Sequence, residues 1–124
     1  MAPVVLIVED QPLHAKLFRD TLNASGFRSV TSATGLEGGL MAARIRPDLI
    51  LIDVILPDMD GRTLIATLSS DQGADTVPIM AISARQDREM EESCLAAGAS
   101  SFTAKPVVLA ALVREARRLV GVTA

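Results

Sequence analysis

Short apolar runs alternate with longer amphipathic stretches along the chain. Val4–Val8 is continuously apolar, and so are residues 49–52 and 79–82. Runs without polar alternation suit strands buried on both faces, as in a parallel sheet covered by helices. Arg28–Ser32 and Ser101–Ala104 read as two weaker strands. Between the runs lie five helical patterns, at 12–25, 36–46, 62–70, 86–97 and 107–120. The first places Leu13, Leu17 and Leu22, with Phe18, near one face, and Gly26 follows as its cap. The second contains Gly38 and Gly39, each costing roughly 1 kcal/mol against Ala, and Pro47 stops it. The fourth begins among Asp87, Glu89, Glu91 and Glu92 and ends at Gly98, and the last carries Arg114, Arg117 and Arg118 toward its end, charges placed as the helix dipole favours. Five strand–helix alternations predict an α/β doubly wound sheet with right-handed crossovers.

The chain has 124 residues, which predicts one domain over 1–124. Residues 71–78 are too short and too central for an interdomain linker. Hydrophobic residues make up 49% and charged residues 22%, so enough apolar surface is available to offset the entropy of ordering. With three Phe and no Tyr or Trp, the core is aliphatic and no stacking surface for single-stranded nucleic acid is present. A net charge of -3 without a basic patch argues against binding to nucleic-acid phosphates. The single cysteine, Cys94, precludes an internal disulfide and reads as a small buried residue. The apolar stretch at 49–56 is broken by Asp53 and falls far short of the roughly 18 residues of a membrane span. The first residues do not read as a signal peptide, and the expectation is a cytoplasmic protein with no membrane partner.

In open α/β sheets, ligands bind beyond the carboxyl ends of the strands. The predicted strands end in Glu9-Asp10, Asp53, Ser83 and Lys105-Pro106. Three carboxylates, a hydroxyl and an ammonium therefore meet at one sheet edge. Clustered carboxylates repel one another without a cation, and hard oxygen ligands suit Mg²⁺. A neutralised aspartate is a competent phosphoryl acceptor, Lys105 carries positive charge for phosphoryl oxygens, and Ser83 brings a hydrogen bond. The constellation reads as phosphoryl transfer onto Asp53. Taken singly, each residue has a plain structural role: Asp10 as a helix N-cap, Ser83 as a turn residue, Lys105 as a surface lysine, Asp53 as a turn aspartate.

LIVED at 6–10, LILIDVILPDMDG at 49–61, Ser83-Ala84 and AKP at 104–106 resemble a response-regulator receiver domain. The wording of VLIVED, KLF and PDLILID is similar to single-domain cell-division regulators of the DivK type. The resemblance implies a flavodoxin-like (βα)5 fold with strand order 2-1-3-4-5. It implies Asp53 as phosphoacceptor, with Glu9, Asp10, Asp53 and the Ile55 carbonyl as Mg²⁺ ligands. Ser83 resembles the hydroxyl that moves toward the phosphoryl group, Lys105 the phosphate-contacting lysine, and its bond to Pro106 the family's cis peptide. Phe102 stands at the aromatic switch position, as Phe rather than Tyr, so no phenolic hydroxyl is present there. Ile55 and Arg85 stand where phosphoryl lifetime is tuned, with Arg85 placed to contact or shield the phosphoryl oxygens.

The resemblance implies a signalling phosphoacceptor rather than an enzyme. A histidine kinase or phosphotransfer protein would donate the phosphoryl group, and the face made by the fourth helix, fifth strand and fifth helix would bind a downstream target protein. His14, near the acidic pair, reads as a surface histidine. Two other functions compete. An Asp-nucleophile phosphatase would place a general-acid Asp two residues after the nucleophile, where this chain has Ile55. A phosphate-independent interaction module would not need the acidic, Ser and Lys positions, all of which are present. No GxGxxG or P-loop pattern supports nucleotide binding.

Overall fold

The computed structural model of the chain describes residues 2–71, 77–85 and 87–121. Most of the segment 71–78 read as a loop, and the last three residues, lie outside the described residues. Five strands, β1 (Val4–Val8), β2 (Arg28–Ser32), β3 (Leu49–Asp53), β4 (Ile79–Ser83) and β5 (Ser101–Ala104), form one sheet. Five helices alternate with them: α1 (Pro12–Ala24), α2 (Gly35–Ile45), α3 (Gly61–Asp71), α4 (Arg88–Ala97) and α5 (Leu109–Val120). All neighbouring strands are parallel, and the order is β2-β1-β3-β4-β5. This is the flavodoxin-like doubly wound arrangement.

Two apolar layers explain the unbroken runs. Leu6, Val8, Ile50 and Ile52 face a cluster with Leu64, Ile65 and Leu68 of α3 and with Met90 and Cys94 of α4. Val5, Ile7, Leu49 and Leu51 face a second cluster with Phe18 and Leu22 of α1 and Leu112 and Ala116 of α5. Alternate residues of one strand thus enter opposite layers, and each fully buried Leu or Ile contributes about 1.5–3 kcal/mol. Cys94 is buried, with its Sγ 3.8 Å from Met90 Sδ.

The helix ends follow their local chemistry. Pro12 opens α1, Thr34 Oγ1 accepts from Glu37 N at 3.1 Å at the head of α2, and Asp87 Oδ1 accepts from Met90 N at 2.9 Å at the head of α4. Gly98 closes α4 with a φ of 124°. Arg46 ends α2 in the left-handed region before Pro47. At the end of α5, Arg117 donates to the Ser25 carbonyl beyond α1, and Arg118 pairs with Glu115.

The predicted apolar face of α1 needs correction. Phe18 and Leu22 are buried, but Leu13 is 80% exposed and Leu17 46% exposed. The sheet-facing stripe runs through His14, Phe18 and Leu22, four residues apart, so Leu13 and Leu17 sit one position off it. His14 stands on that stripe with its side chain 41% exposed, so the surface histidine of the sequence also reaches toward the site.

The two adjacent glycines of α2 differ. A Cβ on Gly38 would lie 2.7 Å from Val8 Cγ2 and 3.0 Å from Ser32 Oγ, whereas one on Gly39 would meet only Leu64 Cδ1, at 3.6 Å. Val8 is fully buried and its branched side chain has little rotamer freedom to yield. Urea unfolding is therefore expected to show Gly39→Ala stabilised by about 0.5–1 kcal/mol and Gly38→Ala destabilised by about 1–3 kcal/mol.

Candidate functional site

The parallel strands deliver their carboxyl ends to one edge. The β1–β3 register sets Val8 beside Ile52, so Glu9 and Asp53 emerge as neighbours. The β3–β4 register pairs Asp53 with Ile82, and β4–β5 pairs Ser83 with Ala104, which brings Ser83 and Lys105 to the same edge. Backbone bonds fix the chain just past each strand. Glu9 N donates to Ser32 O at 2.9 Å, Val54 N to Ile82 O at 2.9 Å, and Lys105 N to Ser83 O at 2.8 Å. The Lys105–Pro106 peptide is cis.

Lys105 stands at the centre. Its Nζ donates to Glu9 Oε1 at 2.7 Å and to Asp53 Oδ2 at 2.8 Å. It also lies 3.1 Å from Nδ1 of His14. Glu9 is 3% exposed and Asp53 5%. Burying two carboxylates this deeply is costly unless a cation is shared between them. Burial raises the Glu9 carboxyl and its neighbour Asp53 raises it further, against the lowering effect of Lys105, so it is pushed up to about 7. Burial works against the Lys105 ammonium, but its bonds to Asp53 and Glu9 prevail and hold it above its ordinary value.

Asp10 completes the acidic group. One carboxylate oxygen from each of Glu9, Asp10 and Asp53 lies within 4.8 Å of the others. The N-cap position of α1 is Gln11, without a side-chain cap, so Asp10 does not cap the helix. The donors are all hard oxygens, a set that fits Mg²⁺ better than a softer metal. Asp53 Oδ1 accepts from Ile55 N at 2.9 Å, which curls the chain after β3 back over the carboxylate. Ile55 bridges to Asp60 and its side chain is 56% exposed at the rim. A Cβ on Gly61 would lie 2.6 Å from Val54 Cα and 2.8 Å from the Asp53 carbonyl oxygen, so the loop closes only on a glycine.

The other residues of interest stand around this centre. Ser83 is fully buried, and its Oγ accepts from Arg85 N at 3.1 Å, leaving its own hydrogen to donate elsewhere. The Arg85 guanidinium lies on Asp87, with Nε 3.0 Å from Oδ2, and not on Asp53. Phe102 is half-buried on β5 against the layer that holds Met90 and Cys94.

Two contacts escaped the sequence reading. Asp58 reaches from the β3–α3 loop to the head of α2, where its Oδ1 accepts from Gly35 N and its Oδ2 from Leu36 N, both at 2.9 Å. Those amide bonds hold its carboxyl below the ordinary range. Nothing in the sequence links residue 58 to residues 35 and 36, because the cap is supplied from another segment. The other is His14, which the four-residue spacing to Phe18 and Leu22 would have placed on the sheet-facing stripe.

Among the described residues, no helix is long and apolar enough to cross a membrane. The chain matches the response regulator receiver domain over residues 5–117. It is 33% identical over 121 residues to the polar-differentiation response regulator DivK of Brucella anthropi, with 98% of each chain covered. It superposes with a TM-score of 0.88 on the receiver domain of a sensor histidine kinase from Pseudomonas aeruginosa PAO1, a crystal structure with magnesium coordinated in its active site cleft, at 32% identity and 98% and 99% coverage. A receiver domain of a signal transduction histidine kinase from Syntrophus aciditrophicus gives a TM-score of 0.88 at 31% identity, covering 97% of this chain and 91% of that one. With that match over residues 5–117 and a relative 33% identical over 98% of each chain, the chain belongs to the response regulator receiver domain family of two-component systems.

Proposed function

We propose that this chain is one receiver unit over 1–124 that accepts a phosphoryl group on Asp53 and signals by protein–protein contact in the cytoplasm. The observation that carries the reading is the buried Asp53 carboxylate held between Lys105 and an all-oxygen acidic group. Glu9, Asp10, Asp53 and the Ile55 carbonyl would hold Mg²⁺. When bound, the ion neutralises charge on the carboxylates and on the phosphoryl oxygens. The donor is a phosphohistidine of a histidine kinase or phosphotransfer protein. An Asp53 oxygen attacks phosphorus, the P–N bond breaks, and its electron pair stays on the imidazole nitrogen. The protein is then an acceptor rather than a turnover enzyme.

The residues of this chain divide the remaining work. Lys105 moves its hydrogen bonds from the Asp53 carboxylate to the new phosphoryl oxygens, and Ser83 turns its hydroxyl toward them. That inward step frees space beside Phe102 and biases the packing of α4, β5 and α5, the face that binds a downstream target. Ile55 at the rim and Arg85 on its Asp87 tether set how easily water reaches the acyl phosphate.

Acetyl phosphate with Mg²⁺ is expected to add one phosphoryl group in intact-protein mass spectrometry, with no addition to Asp53→Asn. Labelling that persists in this variant would sink the assignment. A second expectation follows from Glu9. Its folded-state value lies above its unfolded one, so its contribution to stability is fully present below about pH 4.5 and is lost as pH rises through about 7. Without divalent cation, Glu9→Gln should therefore gain on the wild type in unfolding free energy across that window, by on the order of 1–3 kcal/mol. Added Mg²⁺ should narrow the gap by stabilising the wild type above pH 7.

A further inference from the structure

His14 has no part in the reading above, yet its ring meets the central ammonium. Nδ1 is 3.1 Å from Lys105 Nζ and 3.5 Å from Glu9 Oε1. A protonated lysine has three hydrogens and no lone pair, so the tautomer of His14 with its hydrogen on Nε2 is the one that lets Nδ1 accept from Lys105. Two features keep the ring in place. It stands on the sheet-facing stripe of α1, and it lies 6.3 Å, centroid to centroid, from the ring of Phe18, which is buried one turn further on.

We propose that His14 is a positioning residue for phosphoryl transfer: its Nδ1 holds the Lys105 ammonium over Asp53 once the carboxylates are engaged elsewhere. This deepens the receiver reading and rests on it. In the structure Glu9, Asp53 and His14 are among the partners of the ammonium. Carboxylates that ligate a divalent cation have less negative charge left to hold an ammonium, and the cation repels it. An imidazole nitrogen is a poor ligand for a hard cation and stays committed to the lysine. His14 thus steadies Lys105 during the step in which its carboxylate partners change, so that the ammonium meets the incoming phosphoryl oxygens.

Three variants separate an acceptor from a space-filler. With its side chain 41% exposed, residue 14 tolerates replacement without opening the core. His14→Leu keeps bulk and removes the acceptor, His14→Asn keeps an acceptor atom near the Nδ1 position, and His14→Gln moves it further along. Labelling by acetyl phosphate at saturating Mg²⁺ should slow roughly tenfold in His14→Leu, the size of one hydrogen bond to a charged group, and return to within about twofold of wild type in His14→Asn. Unfolding midpoints should stay together across the three. Equal rates in wild type and His14→Leu, or a His14→Asn as slow as His14→Leu, would overturn the proposal. Independently of labelling, the ¹⁵N resonance of His14 Nδ1 above neutral pH should move in Lys105→Met. An unmoved resonance also overturns it. A wild type that takes no label, while the resonance does move, places the failure in the receiver reading instead and removes the proposal with it.

Discussion

One ammonium makes this sheet edge possible. Glu9 and Asp53 end adjacent parallel strands and are buried almost completely, which the parallel register forces on whatever follows Val8 and Ile52. Two such carboxylates would repel each other in a poorly solvated space. Lys105, just past the end of β5, bonds to both. The compensation is incomplete, as the upward displacement of the Glu9 carboxyl records. The acidic group of Glu9, Asp10 and Asp53 offers only hard oxygen donors, a set that suits a divalent cation such as Mg²⁺. Stability and function make opposite demands on the same three side chains, and the lysine is where they are reconciled.

Much of this was readable from the chain, for a definite reason. Strands covered on both faces must be unbroken apolar runs, so polar residues at their ends stand out, and in a parallel sheet all those ends share an edge. Glu9, Asp10, Asp53, Ser83 and Lys105 were found in that way, and the structure brings Glu9, Asp10 and Asp53 into one acidic group with Lys105 bonded across it. The strand order was legible only by resemblance, since alternation alone does not say which edge each crossover joins.

The misreadings have equally physical causes. Leu13 and Leu17 suggested an apolar face because leucine is apolar wherever it stands. The buried stripe was in fact set by Phe18 and Leu22, with a polar residue, His14, continuing it toward the site. Asp10 reads as a metal ligand with a helix cap as the alternative, and the structure leaves it with the acidic group while Gln11 takes the cap position. Asp58 was invisible because its partners lie 22 and 23 residues away, beyond any local pattern. Side chains that serve a distant backbone leave no periodic trace in their own segment.

The Asp58 cap has a mechanical consequence. Through it, the loop that carries Ile55 is bolted to the head of α2, and α2 is in turn seated against Val8 at Gly38 with no slack. On the opposite flank, Ser83 bonds to Arg85 and Arg85 to Asp87, while Lys105 N ties the end of β4 to β5 and Arg62 Nη1 reaches Ser93 Oγ of α4. One wall of the cleft is tied to the rest of the fold through α2 and the other through β5 and α3. The position of the loop over Asp53 is thus coupled to the seating of α2 on β1, two segments that share no strand pairing.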